Sequence, residues 1–405
     1  MDWGSILSQR MSRMKASEIR ELLKLLDQPE IISFAGGIPD PALFPVEDYQ
    51  KALAGALTGE AAAVSLQYSV SEGYLPLRRW LAAEMGRLGV VCGVENIFIT
   101  SGSQQALDYL GKLLLSPGDT ALVNWPTYMG ALGAFNAYEP AYLRLNGNLG
   151  AAEVRAEAAA SGGRPKFAYL SADFGNPTGE TLDRAGREQL LDLAAELDIA
   201  VIEDGAYQHL RYEGEAIPPI LALEQARVGS IENCRTLYCG SFSKTLAPGL
   251  RVGWVCGASA AIQRLVLLKQ AGDLHSSTIN QIATAQVAET VFAAHVEKLR
   301  QVYGRRRSLV LEALAREMPE GVTWTRPEGG MFVWLTLPEA IDGAELLAHA
   351  LKHQKVAFVP GRAFFADGTN GNTIRLSFSL HEKPAVDEGV RRIGQAIREM
   401  MARPA

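Results

Sequence analysis

Between about residues 70 and 290 the chain alternates short apolar runs with helical stretches, and this alternation limits its fold more than any other feature. The runs are Ile97-Phe98-Ile99-Thr100, Thr120-Ala121-Leu122-Val123, Phe167-Ala168-Tyr169-Leu170, Ala200-Val201-Ile202-Glu203, Thr236-Leu237-Tyr238-Cys239 and Val252-Gly253-Trp254-Val255. They are too short for helices, and they lack the strict alternation of a strand with one wet face. Stretches with helical spacing lie between several of them, notably 104–115 and 183–197. Strands apolar on both faces, separated by helices, predict an α/β fold with a mainly parallel sheet covered on both sides.

The flanks read differently. Downstream, a long helix over about 291–317 leads to the strand Met331-Phe332-Val333-Trp334-Leu335, a helix over 343–353, a strand over 373–378 and a closing helix over 384–401. That order predicts a smaller α+β domain. Upstream, a helix over 17–26 with Ser17 as its cap precedes a short strand, Ile31-Ile32-Ser33-Phe34. The strand runs into Ala35-Gly36-Gly37-Ile38-Pro39-Asp40-Pro41, a loop because its glycines and prolines propagate neither regular structure. The expected organisation is an N-terminal segment (1–45) packing with a small C-terminal domain (291–405), and a large domain (46–290) between them. A length of 405 residues fits two or three domains of about 150.

Composition removes several function classes. With 48% apolar residues and a net charge of −6 the chain is neither disordered nor basic, and no basic stripe suggests a nucleic-acid partner. No apolar run reaches the roughly 18 residues of a membrane helix, so no membrane association is expected. The N-terminus lacks the apolar centre of a secretory signal. The four cysteines have no C-x-x-C spacing and read as buried free thiols of a reducing compartment, so the expected location is cytoplasmic.

Chemistry concentrates at strand ends. In Gly240-Ser241-Phe242-Ser243-Lys244-Thr245-Leu246-Ala247-Pro248-Gly249-Leu250-Arg251 a lysine just past a strand is surrounded by hydroxyls and followed by an arginine. Such a set could hold a phosphate beside an amine able to form a Schiff base. Asp204 ends another strand, where open α/β sheets bind ligands. Phe174-Gly175-Asn176-Pro177-Thr178-Gly179 presents an amide after a third strand. Thr100-Ser101-Gly102-Ser103-Gln104-Gln105 joins a strand to a helix N-terminus, whose free N–H groups favour a phosphate.

On these motifs, from Ala35-Gly36-Gly37-Ile38-Pro39 to Asn372-Thr373-Ile374-Arg375-Leu376-Ser377-Phe378, the chain resembles the fold type I pyridoxal-phosphate aminotransferases. Within them it is most similar to the 2-aminoadipate and kynurenine aminotransferase branch. The resemblance implies an aspartate-aminotransferase-like fold with a seven-stranded large-domain sheet, pyridoxal 5′-phosphate as cofactor, and an L-α-amino acid and a 2-oxo acid as ping-pong substrates. Lys244 would form the Schiff base and shuttle a proton, and Asp204 would pair with the ring nitrogen. Asn176 and Tyr207 would bond the ring's phenolic oxygen, and Tyr128 would stack on the ring. Ser103, Gln104, Ser241, Ser243 and Arg251 would hold the phosphate, joined by Tyr68 from the second subunit of a homodimer. Arg375, assisted by Gly37 and Asn176, would take the substrate α-carboxylate.

These residue types suit that chemistry. Removing the Cα proton leaves electrons that the ring accepts only while its nitrogen is protonated. A carboxylate about 4 Å away favours that proton by very roughly 4 kcal/mol of gross attraction at an effective dielectric near 20. The planar fork of an arginine gives a carboxylate two parallel charge-assisted bonds. The alternative on the same apparatus is a lyase, a decarboxylase or a non-catalytic cofactor-binding protein. The retained Lys244, Asp204 and Arg375 favour transamination.

Four further readings complete the sequence picture. Ala172-Asp173-Phe174-Gly175 stands where the family often has Pro-Asn-Phe-Gln, and the extra carboxylate and the missing proline are expected to alter the entrance. Arg20, on the N-terminal helix, is expected to meet the distal carboxylate of 2-oxoglutarate, the expected acceptor. His349 and His353, with Glu345 one turn earlier, read as exposed histidines rather than a metal site. Arg305-Arg306-Arg307 reads as a solvated or dimer-facing charge run. Related regulators carry a DNA-binding domain upstream of such a module, and the roughly 30 residues before Gly36 are too few for one.

Overall fold

Every apolar run expected in the alternating region is a strand. The computed structural model describes residues 3–14, 30–145 and 149–402. After a two-residue strand β1 (Ile32–Ser33) come β2 (Ile97–Thr100), β3 (Thr120–Val123), β4 (Ala141–Arg144), β5 (Pro165–Leu170), β6 (Ala200–Asp204), β7 (Thr236–Ser241) and β8 (Gly253–Cys256). The last seven form one sheet in the order β2-β8-β7-β6-β5-β3-β4. β8 runs antiparallel to both neighbours, and the other pairings are parallel. Residues alternate between two faces. Phe167, Tyr169 and Ile202 pack under the helices Ser103–Leu114 and Met129–Asn136, while Ala168, Leu170 and Val201 pack under Arg184–Leu197. Burial on both faces is why these strands read as continuous apolar runs.

The remaining strands are β9 (Thr323–Trp324), β10 (Phe332–Thr336), β11 (Val356–Ala357), β12 (Val359–Pro360) and β13 (Thr373–Ser377). Four of them make an antiparallel sheet, β12-β13-β10-β9. β1 pairs in parallel with β11, and Phe34 shares a core with Phe332, Phe378 and Ile393. The helix Lys383–Met401 supplies Val390, Ile393 and Ile397 to that core.

Three expectations change. The long helix begins at Thr278, not 291, and runs unbroken to Glu317, so the expected boundary at 290/291 falls inside it. In the arginine run, Arg305 is exposed against Glu382 but Arg306 and Arg307 are each only 5% exposed. Arg306 binds Asp40 at 2.8 Å and the Ser379 carbonyl, and Arg307 binds Glu213 and the Pro327 carbonyl. Acids far away in sequence satisfy these two cations, which is why a local reading places them in solvent. His349 is half-buried, with Nε2 2.6 Å from Glu399, and only His353 is exposed. The helix over 17–26 and Arg20 lie outside the described residues. No helix among the described residues is long and apolar enough to cross a membrane.

Candidate active site

Sheet direction gathers the site. Lys244, Asp204, Asn176, Tyr128 and Ser103 follow or end β7, β6, β5, β3 and β2, all at the carboxyl edge of the large sheet. β8 runs the other way, so its first residue, Gly253, lies opposite Thr100 and Ser241. Arg251, just before β8, therefore reaches the same edge although it follows no strand. Crevices at this edge are where open α/β sheets bind ligands.

One end of the crevice is a nest of donors. Ser241 Oγ lies 2.8 Å from Ser243 Oγ and accepts the Ser243 N–H at 3.1 Å. Arg251 Nη1 sits 3.5 Å from Ser243 Oγ, and its Nη2 donates to the Ser101 carbonyl at 3.4 Å. Beside them the helix Ser103–Leu114 begins after Gly102, whose φ of +81° disfavours any side chain. A Cβ there would lie 2.3 Å from Arg251 Nη2, so glycine lets the guanidinium close on the helix N-terminus. Among the described residues no carboxylate pairs with Arg251. Gln104 is at the same end, but its side-chain amide donates to the Gly130 carbonyl at 2.7 Å, which leaves its backbone N–H in the first turn to face the nest.

The centre is buried. Asp204 is 5% exposed, and its Oδ2 accepts the Tyr169 hydroxyl at 2.9 Å while Oδ1 accepts the Ala206 N–H at 3.2 Å. Burial raises its pKa, with the two hydrogen bonds and the Lys244 charge opposing. Lys244 Nζ donates to the Gly37 carbonyl at 2.7 Å and sits 5.8 Å from the Tyr207 ring centroid. Burial, then the charges of Arg375 and Arg251, lower its pKa to about 8. Tyr207 is also buried, and desolvation followed by the neighbouring Tyr128 pushes its phenol up, so it stays a neutral donor. Tyr128 itself is half-buried at the start of the helix Met129–Asn136.

The other end is a single buried cation. Arg375, on β13, is 1% exposed and donates to Asn176 Oδ1 at 2.8 Å and the Ala35 carbonyl at 2.9 Å. Its guanidinium lies 4.2 Å from the Phe332 ring centroid and 5.1 Å from that of Phe364. Nε is buried without a partner, and no carboxylate among the described residues pairs with the group. Burial lowers its pKa, to about 10, which leaves it charged at neutral pH. Gly37 lies against this end, where a Cβ would meet Phe332 Cζ at 2.8 Å.

The sequence-selected residues thus come together, with two exceptions. Arg20 is outside the described residues, and Tyr68 stands on the outside of the chain, 77% exposed and edge-on to His275. Asp173, expected at the entrance, is 5% exposed and faces Arg187 instead. Tyr169 and Phe332 were missed. They read as ordinary strand apolars, and only the pairing of β5 with β6 and of β10 with β13 reveals their contacts. A cleft of about 990 Å³ opens beside Tyr128 and Asn176 towards Arg326, but Lys244, Asp204 and Arg375 do not line it.

This donor set fits pyridoxal phosphate. A dianion would complete the nest at Arg251, a protonated ring nitrogen would supply the cation that buried Asp204 lacks, and Lys244 is poised to be a neutral amine. Comparison with known proteins agrees. The family model described as aminotransferase class I and II matches residues 40–393. The 2-aminoadipate transaminase of Thermus thermophilus is 42% identical, covering 99% of both chains. The crystal structure of a multiple substrate aminotransferase from Thermococcus profundus superposes with a TM-score of 0.91 at 40% identity, over 100% of each chain. That of an α-aminoadipate aminotransferase from Thermus thermophilus, complexed with N-(5′-phosphopyridoxyl)-L-leucine, gives 0.88 at 38% identity, over 99% of this chain and 100% of that one. The chain belongs to the class I and II aminotransferases, and is a pyridoxal-phosphate-dependent transaminase of fold type I.

Proposed function

We propose that the protein moves an amino group from an L-α-amino acid to 2-oxoglutarate in two half-reactions on one site. The observation that carries this reading is Arg375, a buried cation with no acidic partner among the described residues, facing the same space as Lys244 and Asn176. A desolvated guanidinium in that state is a receptor for a carboxylate that only the substrate can bring. A decarboxylase would have to expel the group that this clamp retains.

Bound pyridoxal phosphate supplies the electron sink for the electrons released when the substrate loses its Cα proton. Asp204 Oδ2, steadied by Tyr169, would hold the proton on the ring nitrogen. Lys244 Nζ, neutral for a large share of the time near pH 8, would be the amine that holds the cofactor's aldehyde group and the base that moves the substrate's Cα proton. Arg375 donates only, so Asn176 must turn Oδ1 towards it and leaves Nδ2 to donate, beside Tyr207, to the phenolic oxygen. Tyr128 would stack on the ring, and Ser103, Gln104, Ser241, Ser243 and Arg251 would take the phosphate, with Tyr68 from a second copy. Four free thiols suit a reducing cytoplasm for this dimer.

The test is conversion of the bound cofactor from its pyridoxal to its pyridoxamine form, followed by absorbance across a panel of L-amino acids and then 2-oxo acids. Release of carbon dioxide without that conversion would overturn the reading. Arg20 carries the finer assignment. Its replacement by Ala should lower kcat/KM for 2-oxoglutarate by about ten- to a hundredfold more than for an apolar 2-oxo acid of similar length. Equal losses would remove Arg20 from side-chain recognition.

A further inference from the structure

Asn176 sits on a loop beside a cleft. Between β5 and the helix Arg184–Leu197, the loop's outer side, including Gly175, Pro177 and Glu180, lines the cleft of about 990 Å³. Anchors lie at Ala172, Asp173 and Phe174 before Asn176 and at Thr178 after it.

Arg187 is fully buried and holds both ends of the loop. Nε donates to the Leu182 carbonyl at 2.9 Å, and Nη2 to the Ala172 carbonyl at 3.3 Å and to Asp173 Oδ1 at 2.9 Å. The same Oδ1 accepts from Arg211 Nη2 at 3.2 Å. Arg211 in turn bonds Glu328 at 2.7 Å and lies 4.8 Å over the Phe174 ring, which rests against Gly329 and Gly330 just before β10. Phe174 has a φ of +52°, a conformation a bulky residue adopts only when its surroundings impose it. From the opposite side, Thr325 Oγ1 donates to the Thr178 carbonyl at 2.7 Å. One carboxylate therefore ties the Asn176 loop both to the large sheet's helix and to the segment that leads into the smaller sheet.

We propose that Asp173 is a positioning residue for transamination. Through Arg187 and Arg211 it fixes the Asn176 loop, so that one amide meets Arg375 with its oxygen and the cofactor's ring oxygen with its nitrogen. The proposal deepens the site reading given above and rests on it. A neutral amide in place of Asp173 would leave the buried Arg187 with no bonded carboxylate among the described residues, and Arg211 with Glu328 alone.

The experiment compares Asp173→Asn, Arg211→Gln and Asn176→Ala as holoenzymes. The readouts are the pH midpoint of the bound cofactor's near-visible absorption band, KM and kcat for the best amino acid, and Tm. Arg211→Gln spares the deeper Arg187 pair and serves if Asp173→Asn does not fold. Asn176→Ala should move the band's midpoint by about half a unit to one unit. Asp173→Asn and Arg211→Gln should move it in the same direction and raise KM by about 3- to 30-fold with a smaller change in kcat. Adding Asp173→Asn to Asn176→Ala should move the midpoint no further. If the Asp173 and Arg211 variants lose Tm while band and KM stay put, the residue is structural only and the proposal is overturned. If Asn176→Ala itself leaves the band unmoved, the assignment of Asn176 fails, and the proposal with it.

Discussion

Lys244 illustrates how one side chain is made ready by its surroundings. An exposed lysine titrates near 10.4 and is almost wholly protonated at neutral pH. Here burial and two nearby arginines lower that to about 8, because the charged form loses water and meets like charge. The sign follows for stability too. Between about 8 and the ordinary value the unfolded chain holds a proton that the folded chain has released, so folding strengthens as pH rises through that window. We expect the cofactor-free protein to capture pyridoxal phosphate at a rate that climbs with pH and levels off above about pH 8. Stopped-flow absorbance measures this, and a rate still climbing at about pH 10 would show an ordinary lysine. Lys244→Ala should capture none covalently and should lose turnover, while its phosphate nest still binds the cofactor weakly.

At the scale of elements, Glu203 shows how a buried acid fixes a helix to the sheet. It is 2% exposed at the end of β6, and its two oxygens accept the N–H groups of Ile220 and Leu221 at 2.8 and 3.1 Å. These are orphan donors of the helix Ile220–Val228, so the carboxylate stands in for a cap. Burial pushes its pKa up to about 7 despite both bonds. Over the range from the ordinary carboxylate value to about 7 the folded chain keeps a proton that the unfolded chain has lost, so this group's contribution falls as pH rises. Relative to Glu203→Gln, the wild type should therefore lose up to about 2 kcal/mol between about pH 5 and 7, read from paired denaturation curves. An unchanged difference would mean that Glu203 is ionised throughout. Elements of this kind were readable where burial was uniform. The six apolar runs announced their strands, and with the strand ends came Lys244, Asp204 and Asn176. β4 went unread because it is a half-exposed edge strand with the mixed composition Ala-Tyr-Leu-Arg. The first turns of Thr278–Glu317 hid for the opposite reason: Gln281, Ile282, Ala283, Thr284 and Ala285 are all buried, so no polar face marks a helical period. Asp173 and Arg306 misled because their partners lie far along the chain.

For the whole molecule, the exposed run Val64, Leu66, Tyr68 and Val70, each 56% exposed or more, presents apolar surface that a second copy would cover. On the shared-site reading, Tyr68→Phe should weaken cofactor retention by about tenfold while leaving the Tm of the cofactor-free chain unchanged, since the residue packs on little within its own chain. A monomer with full activity and full cofactor retention at nanomolar concentration would end that reading. Arg375 extends beyond catalysis to the survival of the protein. A fold whose described residues give an enclosed cation no anion is least stable when empty, and every carboxylate that fills the site raises the unfolding free energy by mass action, about 2.7 kcal/mol at about a hundred times Kd. A non-reacting acid such as 4-methylvalerate should then raise Tm in the wild type and not in Arg375→Met, as scanning fluorimetry would show. Resistance to heat and proteolysis would rise and fall with the pool of acids on which the enzyme acts, so scarcity of substrate would itself mark the protein for turnover.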